Sequence, residues 1–299
     1  MANSPNATFT PDIDNTDIIR HIRALEGERH PETAPNALEK AADYLFSKMK
    51  SFDLKVQKAS IQRSSHHNVV ASLPSRQAEN GASGEGVLVI GAHLDTVEKS
   101  PGADDNASGL AVLLEVARSL APFTGNHPVE FVAFTLEETG FIGSEAYLQD
   151  AEKKGIPIWG AIILECVGYT SVRPGSQETP PGLPFDLPGR GDFIGVVGNS
   201  TSEPMQKCFE LSAKSERPML PSIRLSVPGR GEGIPDTRRS DHVPFWDRDL
   251  PAIMLTDTAN FRNPHYHRTS DRLLTLDVPF ITSVARALAK TVFNLAGLR

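Results

Sequence analysis

Seven side chains in this 299-residue sequence have the types and positions to handle a metal ion and a proton together: His93, Asp95, Asp105, Glu137, Glu138, Glu165 and His267. They fall in four clusters, each just after an apolar run (87–92, 129–136, 160–164 and 251–256). Imidazole and carboxylate suit a divalent transition ion of the zinc kind, and no thiolate cluster is present to compete. One carboxylate too many for a single ion suggests two ions sharing a bridging group, about 3.5–4 Å apart. Asp105, Glu138 and Glu165, with one bound hydroxide, would balance the charge of two divalent cations. A base that is not itself a ligand would explain why two glutamates stand side by side at 137 and 138.

The elements that must position these groups can be read from periodicity. The branched run 87–92 predicts a strand buried on both faces. Leu110, Leu113, Leu114, Ala117 and Leu120 follow at helical spacing, so a helix packs behind it. The loop between them lies outside the carboxyl end of a strand, where open α/β sheets hold ligands. Further helices are expected over 14–26, from Pro35 to Phe52, and over 143–151, 203–214 and 277–295, with strands over 54–61, 68–73, 129–136, 160–165, 193–198 and 251–256. This alternation predicts an α/β fold, three layers of α/β/α around a central mixed, mostly parallel sheet. Residues 1–13 read as a loose arm, and 75–86 and 221–236 as loops. The stretch 173–191, with five prolines and four glycines, reads either as a surface loop or as a rim over the active site. No linker divides the chain, so residues 1–299 are expected to form one domain.

Composition narrows the classes. Hydrophobic residues make up 39% and charged residues 22% of the chain, as in a globular protein with a full core. A net charge of −7 argues against a nucleic-acid partner. No apolar stretch is long enough to span a bilayer, and the start lacks the basic and apolar segments of a signal peptide. Two cysteines, Cys166 and Cys208, fit a reduced, cytoplasmic chain.

Four motifs carry a resemblance to a known family: His93-Leu94-Asp95; Gly102-Ala-Asp-Asp105-Asn-Ala-Ser-Gly109; Glu137-Glu138-Thr-Gly-Phe-Ile-Gly-Ser144; and Tyr266-His267-Arg-Thr-Ser-Asp271. In order and separation they resemble the di-zinc aminopeptidases of clan MH, which include bacterial leucyl aminopeptidases, with glutamate carboxypeptidase and glutaminyl cyclase as relatives. The resemblance implies the zinc-exopeptidase, phosphorylase/hydrolase-like form of the fold and two zinc ions. It implies that Asp105 bridges them, with His93 and Glu165 on one ion and Glu138 and His267 on the other. Glu137 would be the general base, acting on a bridging hydroxide, and Asp95 would hold the other nitrogen of His93. The substrate would be a short peptide cleaved at its N-terminal residue. The family usually has aspartate where this chain has Glu165, and Cys166 beside it reads as a small buried hydrophobe.

Other groups invite weaker readings. Ser240-Asp241-His242 lacks a Gly-x-Ser-x-Gly elbow; Asp241 is expected either near the substrate site or as a helix cap. Tyr266 is a candidate to hydrogen-bond the tetrahedral oxyanion, or simply packs. His265 reads as a solvated loop residue, and His21, His30 and His127 as structural or exposed. The absence of His-Glu-x-x-His excludes the single-zinc helix-borne proteases. Three rivals stay open: a single-zinc glutaminyl cyclase, a binding module without catalysis, and a carboxypeptidase using Arg238-Arg239 or Arg190 to hold a substrate carboxylate.

Overall fold

The computed structural model describes residues 9–74 and 86–299; the expected loop over 75–85 and the first eight residues lie outside them. Eight strands form one sheet: β1 (Lys55–Ser60), β2 (His67–Ser72), β3 (Val87–His93), β4 (Val129–Phe134), β5 (Ile158–Glu165), β6 (Ile194–Asn199), β7 (Ser222–Val227) and β8 (Ala252–Thr256), in the spatial order β1-β2-β4-β3-β5-β8-β6-β7. The four central strands, β4, β3, β5 and β8, are mutually parallel. β2 joins antiparallel on one side and β6 on the other. The sheet is therefore mixed, with its parallel part at the centre, as expected.

Side chains alternate between two cores. On one face Leu88, Ile90, Phe131, Ile162, Leu164 and Leu255 pack under five helices: α1 (Asn15–Leu25), α2 (Pro35–Ser51), α3 (Gly109–Leu120), α5 (Glu203–Ser215) and α7 (Val278–Leu295). On the other, Val89, Val132, Phe134, Ile163 and Met254 pack under α4 (Ile142–Lys154) and the short α6 (Val243–Trp246). A central parallel strand must be apolar on both sides because both sides are covered, which is why β3 reads as an uninterrupted run. The helix α3 is likewise buried at ten of its twelve positions, so it lies inside the helical layer rather than on its surface. Its one buried acid, Glu115, is paired with His21 (3.0 Å) and Arg118 (2.7 Å), and His21 in turn meets the Tyr44 hydroxyl at 2.7 Å. Among the described residues, no helix is long and apolar enough to cross a membrane.

Two expectations need correction. Residues 9–13 are not loose: Phe9 stacks on Phe293 at 4.4 Å and meets Phe123 edge-on at 5.3 Å, and Ile13 is buried. An arm with two apolar residues against an exposed seam gains enough from burial to be ordered. The loop-rich reading of 221–236 missed β7, an edge strand parallel to β6. Its alternation, Ile223, Leu225 and Val227 inward against exposed Arg224 and Ser226, was present in the sequence but short and bounded by Pro221 and Pro228.

Gly143 shows how closely the elements bearing the functional motifs approach each other. A side chain there would put its first carbon 2.2 Å from the Thr135 carbonyl oxygen and 2.7 Å from Asn68 Oδ1. The Asn68 amide also donates to the Gly143 carbonyl, at 2.8 Å. Gly143→Ala is expected to lower stability by about 1–3 kcal/mol, the usual size of an overpacking defect, seen as a lower melting temperature; an unchanged melt would show that the backbone there yields freely.

Candidate metal centre

The parallel centre of the sheet brings the four clusters to one edge. His93 ends β3 and Glu165 ends β5. Glu137 and Glu138 follow β4 by a few residues, and His267 follows β8 through a longer loop. Asp105 comes from the turn 103–108 that leads into α3. Its two carboxylate oxygens face different imidazoles: Oδ1 lies 3.0 Å from His93 Nε2, and Oδ2 lies 3.0 Å from His267 Nε2. Glu165 Oε2 is 3.5 Å from His93 Nε2, and Glu138 Oε1 is 3.4 Å from His267 Nε2.

Two triads result, His93–Asp105–Glu165 and Asp105–Glu138–His267, in each of which the potential ligand atoms lie within 4.8 Å of one another. Glu137 joins a third grouping, with His93 and Glu138. His93 Nε2 and Asp105 Oδ1 are buried and, although adjacent, make no hydrogen bond. Two orphaned ligand-type atoms aimed at one point, in a buried cluster richer in carboxylate than in cation, fit divalent cations bound between them.

A scaffold of buried acids holds these groups. The Asp95 carboxylate accepts the backbone N–H of Glu137 at 3.0 Å on one oxygen and of Glu138 at 3.1 Å on the other. Asp271 does the same for Asp104 (2.9 Å) and Asp105 (3.2 Å). The expectation that the Asp95 side chain holds His93 is therefore corrected. His93 Nδ1 meets the Asp95 backbone carbonyl at 3.1 Å, whereas the carboxylate is 4.0 Å away. Two buried N–H groups with no other acceptor claim the carboxylate, and the carbonyl is left to orient the ring, with Nδ1 donating and Nε2 free to ligate.

Glu165, the departure from the family pattern, is pinned by Ser240 Oγ, which donates to Oε2 at 2.7 Å, and by the Cys166 thiol 3.4 Å from Oε1. Sequence reasoning did not single out this role of Ser240, nor Asp271, nor Arg29. Arg29 is fully buried and donates to five backbone carbonyls, those of Leu25, Gly27, Leu94, Pro101 and Gly102. It braces the 94–102 segment between His93 and Asp105. Burial pushes its pKa down to about 10, opposed by the fields of Asp105, Asp271, Asp95 and Glu138. Only the end position of Asp271 in its motif was a usable signal; nothing in the local sequence marked Arg29.

Asp241, expected near the substrate site or as a helix cap, does not line the cavity described below. It is fully buried, accepts Ser144 Oγ at 2.6 Å and leaves its other oxygen without a partner; burial pushes its pKa up to about 7. Nor do Ser240 and Asp241 cap α6, which has no side-chain cap. Tyr266 stacks on the His267 ring at 3.8 Å, and burial holds its phenol far above the ordinary value, so it remains a hydrogen-bond donor. His265 bonds Ser270 at 2.9 Å.

Glu165 and Tyr266 also form one wall of a cavity of about 80 Å³, whose other walls include Leu183, Leu187, Phe193, Ile223, Leu225 and Met254. The 173–191 segment thus lies as a rim over the cavity. It is tied down by a Ser171–Gly191 bridge and by Gln177, which meets Arg262 Nε at 2.8 Å and Thr258 at 2.9 Å.

Electrostatics follow from burial. Desolvation pushes Glu137 well above the ordinary carboxyl range; the His93 charge opposes this, and the neighbouring Glu165, Asp241 and Glu138 add to it. At His267, burial opposes the charged ring, but Asp105 and Glu138 override it and raise the pKa to about 10. His93 is likewise raised well above its ordinary value, Glu165 and Glu137 outweighing burial. At pH 8 the His267 imidazole of the metal-free protein is therefore protonated and His93 is shifted in the same direction, so a metal competes with protons for both rings. Zinc binding at pH 8 is expected to release protons, that of His267 among them, with apparent affinity falling as pH falls. Calorimetry in two buffers of different ionisation enthalpy measures this, and a buffer-independent heat would contradict it.

Comparison with known proteins identifies the family. Residues 68–292 match the model of peptidase family M28. The Escherichia coli K12 protein YfbL is 33% identical over 291 residues, covering 91% of this chain and 86% of that one. Leucine aminopeptidase 1 of Arthroderma gypseum is 24% identical over 248 residues, covering 77% of this chain; the chain spans 58% of that protein's length. The solved Legionella pneumophila LapA aminopeptidase shares the fold, with a TM-score of 0.73 at 18% identity over 98% of this chain and 78% of that one. With the family model covering most of the chain and YfbL aligned over nearly all of it, this protein belongs to peptidase family M28.

Proposed function

We propose that the chain is a metal-dependent aminopeptidase that binds two divalent ions, zinc by preference, and removes an apolar N-terminal residue from short peptides. The observation that carries this reading is the pair of ligand triads sharing Asp105, with Glu137 beside them. His93, Asp105 and Glu165 would hold one ion, and Asp105, Glu138 and His267 the other. When bound, the two ions supply Lewis acidity, polarising the scissile carbonyl and making water nucleophilic at neutral pH.

The chain's own residues supply the rest. Glu137, held in place through its backbone by Asp95, takes the proton from the attacking water and returns it to the leaving amine. Its buried setting favours the protonated form needed for that second step. The Tyr266 hydroxyl donates to the developing oxyanion. The surplus of carboxylate in the cluster attracts a free, positively charged amino terminus, and the apolar part of the cavity beside Glu165, walled by Leu183, Phe193, Leu225 and Met254, accepts the side chain of the first residue. A cyclase with one zinc would leave the second triad without a purpose. The unpaired thiols of Cys166 and Cys208 support a reducing, cytoplasmic setting.

Glu137→Gln should lower kcat/KM on leucine 4-nitroanilide by about a thousandfold, within the usual worth of a general base, while metal content per chain stays as in the wild type. A variant within tenfold of the wild type would remove Glu137 from this role. Chelation should abolish turnover, with zinc restoring it; full activity after complete metal removal would overturn the metal-dependent reading.

A further inference from the structure

Arg239 is the cation in the lining of the cavity, and it is less fully paired than the other arginines of the 230–248 segment. Arg238 grips Asp247 with contacts of 2.8 and 3.0 Å, Arg230 grips Asp249 at 2.9 and 2.6 Å, and Arg248 binds both Glu145 and Glu152. Arg239 differs. It lines the cavity with its side chain 43% exposed, and its acidic contact, Asp236, lies at 3.5 Å. Its remaining partners are neutral: Asn260 Oδ1 at 2.8 Å and the Tyr266 hydroxyl at 3.4 Å. A guanidinium carries five donors in a planar fork suited to a carboxylate, and this one has donors to spare at the open side of the cavity.

Its position relative to the metal centre is equally specific. The next residue, Ser240, bonds the ligand-type carboxylate Glu165. The guanidinium carbon lies 5.9 Å from the Tyr266 ring, which itself stacks on His267. Each residue beyond the scissile bond adds about 3.5 Å of chain, so an anion held by Arg239 sits one or two residues from the reacting carbonyl. The other polar groups of the lining, among them Glu165, Asp236, Asn260 and Tyr266, are acids or neutral, so among the described residues Arg239 is the one cation there to hold an anion, and the peptide's own C-terminus supplies that anion.

We propose that Arg239 holds the free α-carboxylate of the substrate and thereby makes the enzyme select di- and tripeptides over longer or C-terminally blocked ones. This rests on the aminopeptidase reading above and adds to it the length of the substrate. Two features thus divide the recognition: the carboxylate cluster reads the amino end and Arg239 the carboxyl end, so that a short peptide is measured between them.

The test compares Leu-Gly with Leu-Gly-amide in the wild type, Arg239→Gln and Arg239→Lys, with Leu-Gly-Gly and Glu-amide as further substrates. The wild type should favour Leu-Gly over its amide by roughly tenfold to a hundredfold in kcat/KM, the worth of one charge-assisted hydrogen bond. The ratio should fall to about 1 in Arg239→Gln and be intermediate in Arg239→Lys. Because each ratio is taken within one preparation, a partly unfolded variant does not distort it. A wild-type ratio near 1, or one kept by Arg239→Gln, overturns the proposal. An Arg239-dependent preference for Glu-amide over Leu-amide, without discrimination at the C-terminus, overturns it in favour of a side-chain carboxylate. Release of glycine rather than leucine from Leu-Gly-Gly would instead sink the aminopeptidase reading, and the proposal with it.

Discussion

The structure depends on one electrostatic constraint: more carboxylates are buried at the edge of the sheet than the protein's own cations can neutralise. A buried carboxylate without a partner is expensive, and Asp105 meets the constraint by facing two imidazoles at once, 3.0 Å to each. These two contacts hold its pKa well below the usual carboxylate range in spite of its burial. Glu137 has no such arrangement and is pushed the other way. One cluster thus contains a carboxylate that stays ionised and one that can carry a proton, which is the division of labour that hydrolysis of an amide needs.

Around that cluster the scaffold works through backbone amides rather than through side-chain pairs. Asp95 and Asp271 each take two successive N–H groups from the segment that carries a ligand-type acid. Arg29 takes the carbonyls of the intervening chain. Donors that would be orphaned at the ends of β4 and in the turn 103–108 are satisfied by the same acids that place the reactive groups. The adjoining cavity is built differently. It is walled largely by segments late in the chain, β6, β7, β8 and the 173–191 loop, with Glu165 shared between the cavity and the metal edge.

Much of the fold and most of the candidate site could be read from the sequence, because both rest on local signals. The uninterrupted apolar runs of β3 and β5 exist because those strands are covered on both faces, and parallel strands must end their runs at one edge. His93, Glu137, Glu138 and Glu165 therefore announce themselves as polar residues placed just after such runs. The short edge strand β7 was not legible, since only one of its faces is covered and prolines flank it; the packing of Phe9 on Phe293 and Phe123 joins residues far apart in the chain.

The types and order of the reactive groups, and the sheet edge to which they come, were thus determined by the sequence alone. Tertiary structure decided which oxygen faces which nitrogen, that the Asp95 carbonyl rather than its carboxylate orients His93, that Asp241 is fully buried, and that Arg239 faces the cavity with neutral partners beside its one long contact to Asp236. The reason is physical: periodicity reports burial, a property of each residue and its neighbours in the chain. A hydrogen bond or ion pair reports distance between residues that the chain separates by tens of positions, and only the packed fold sets that distance.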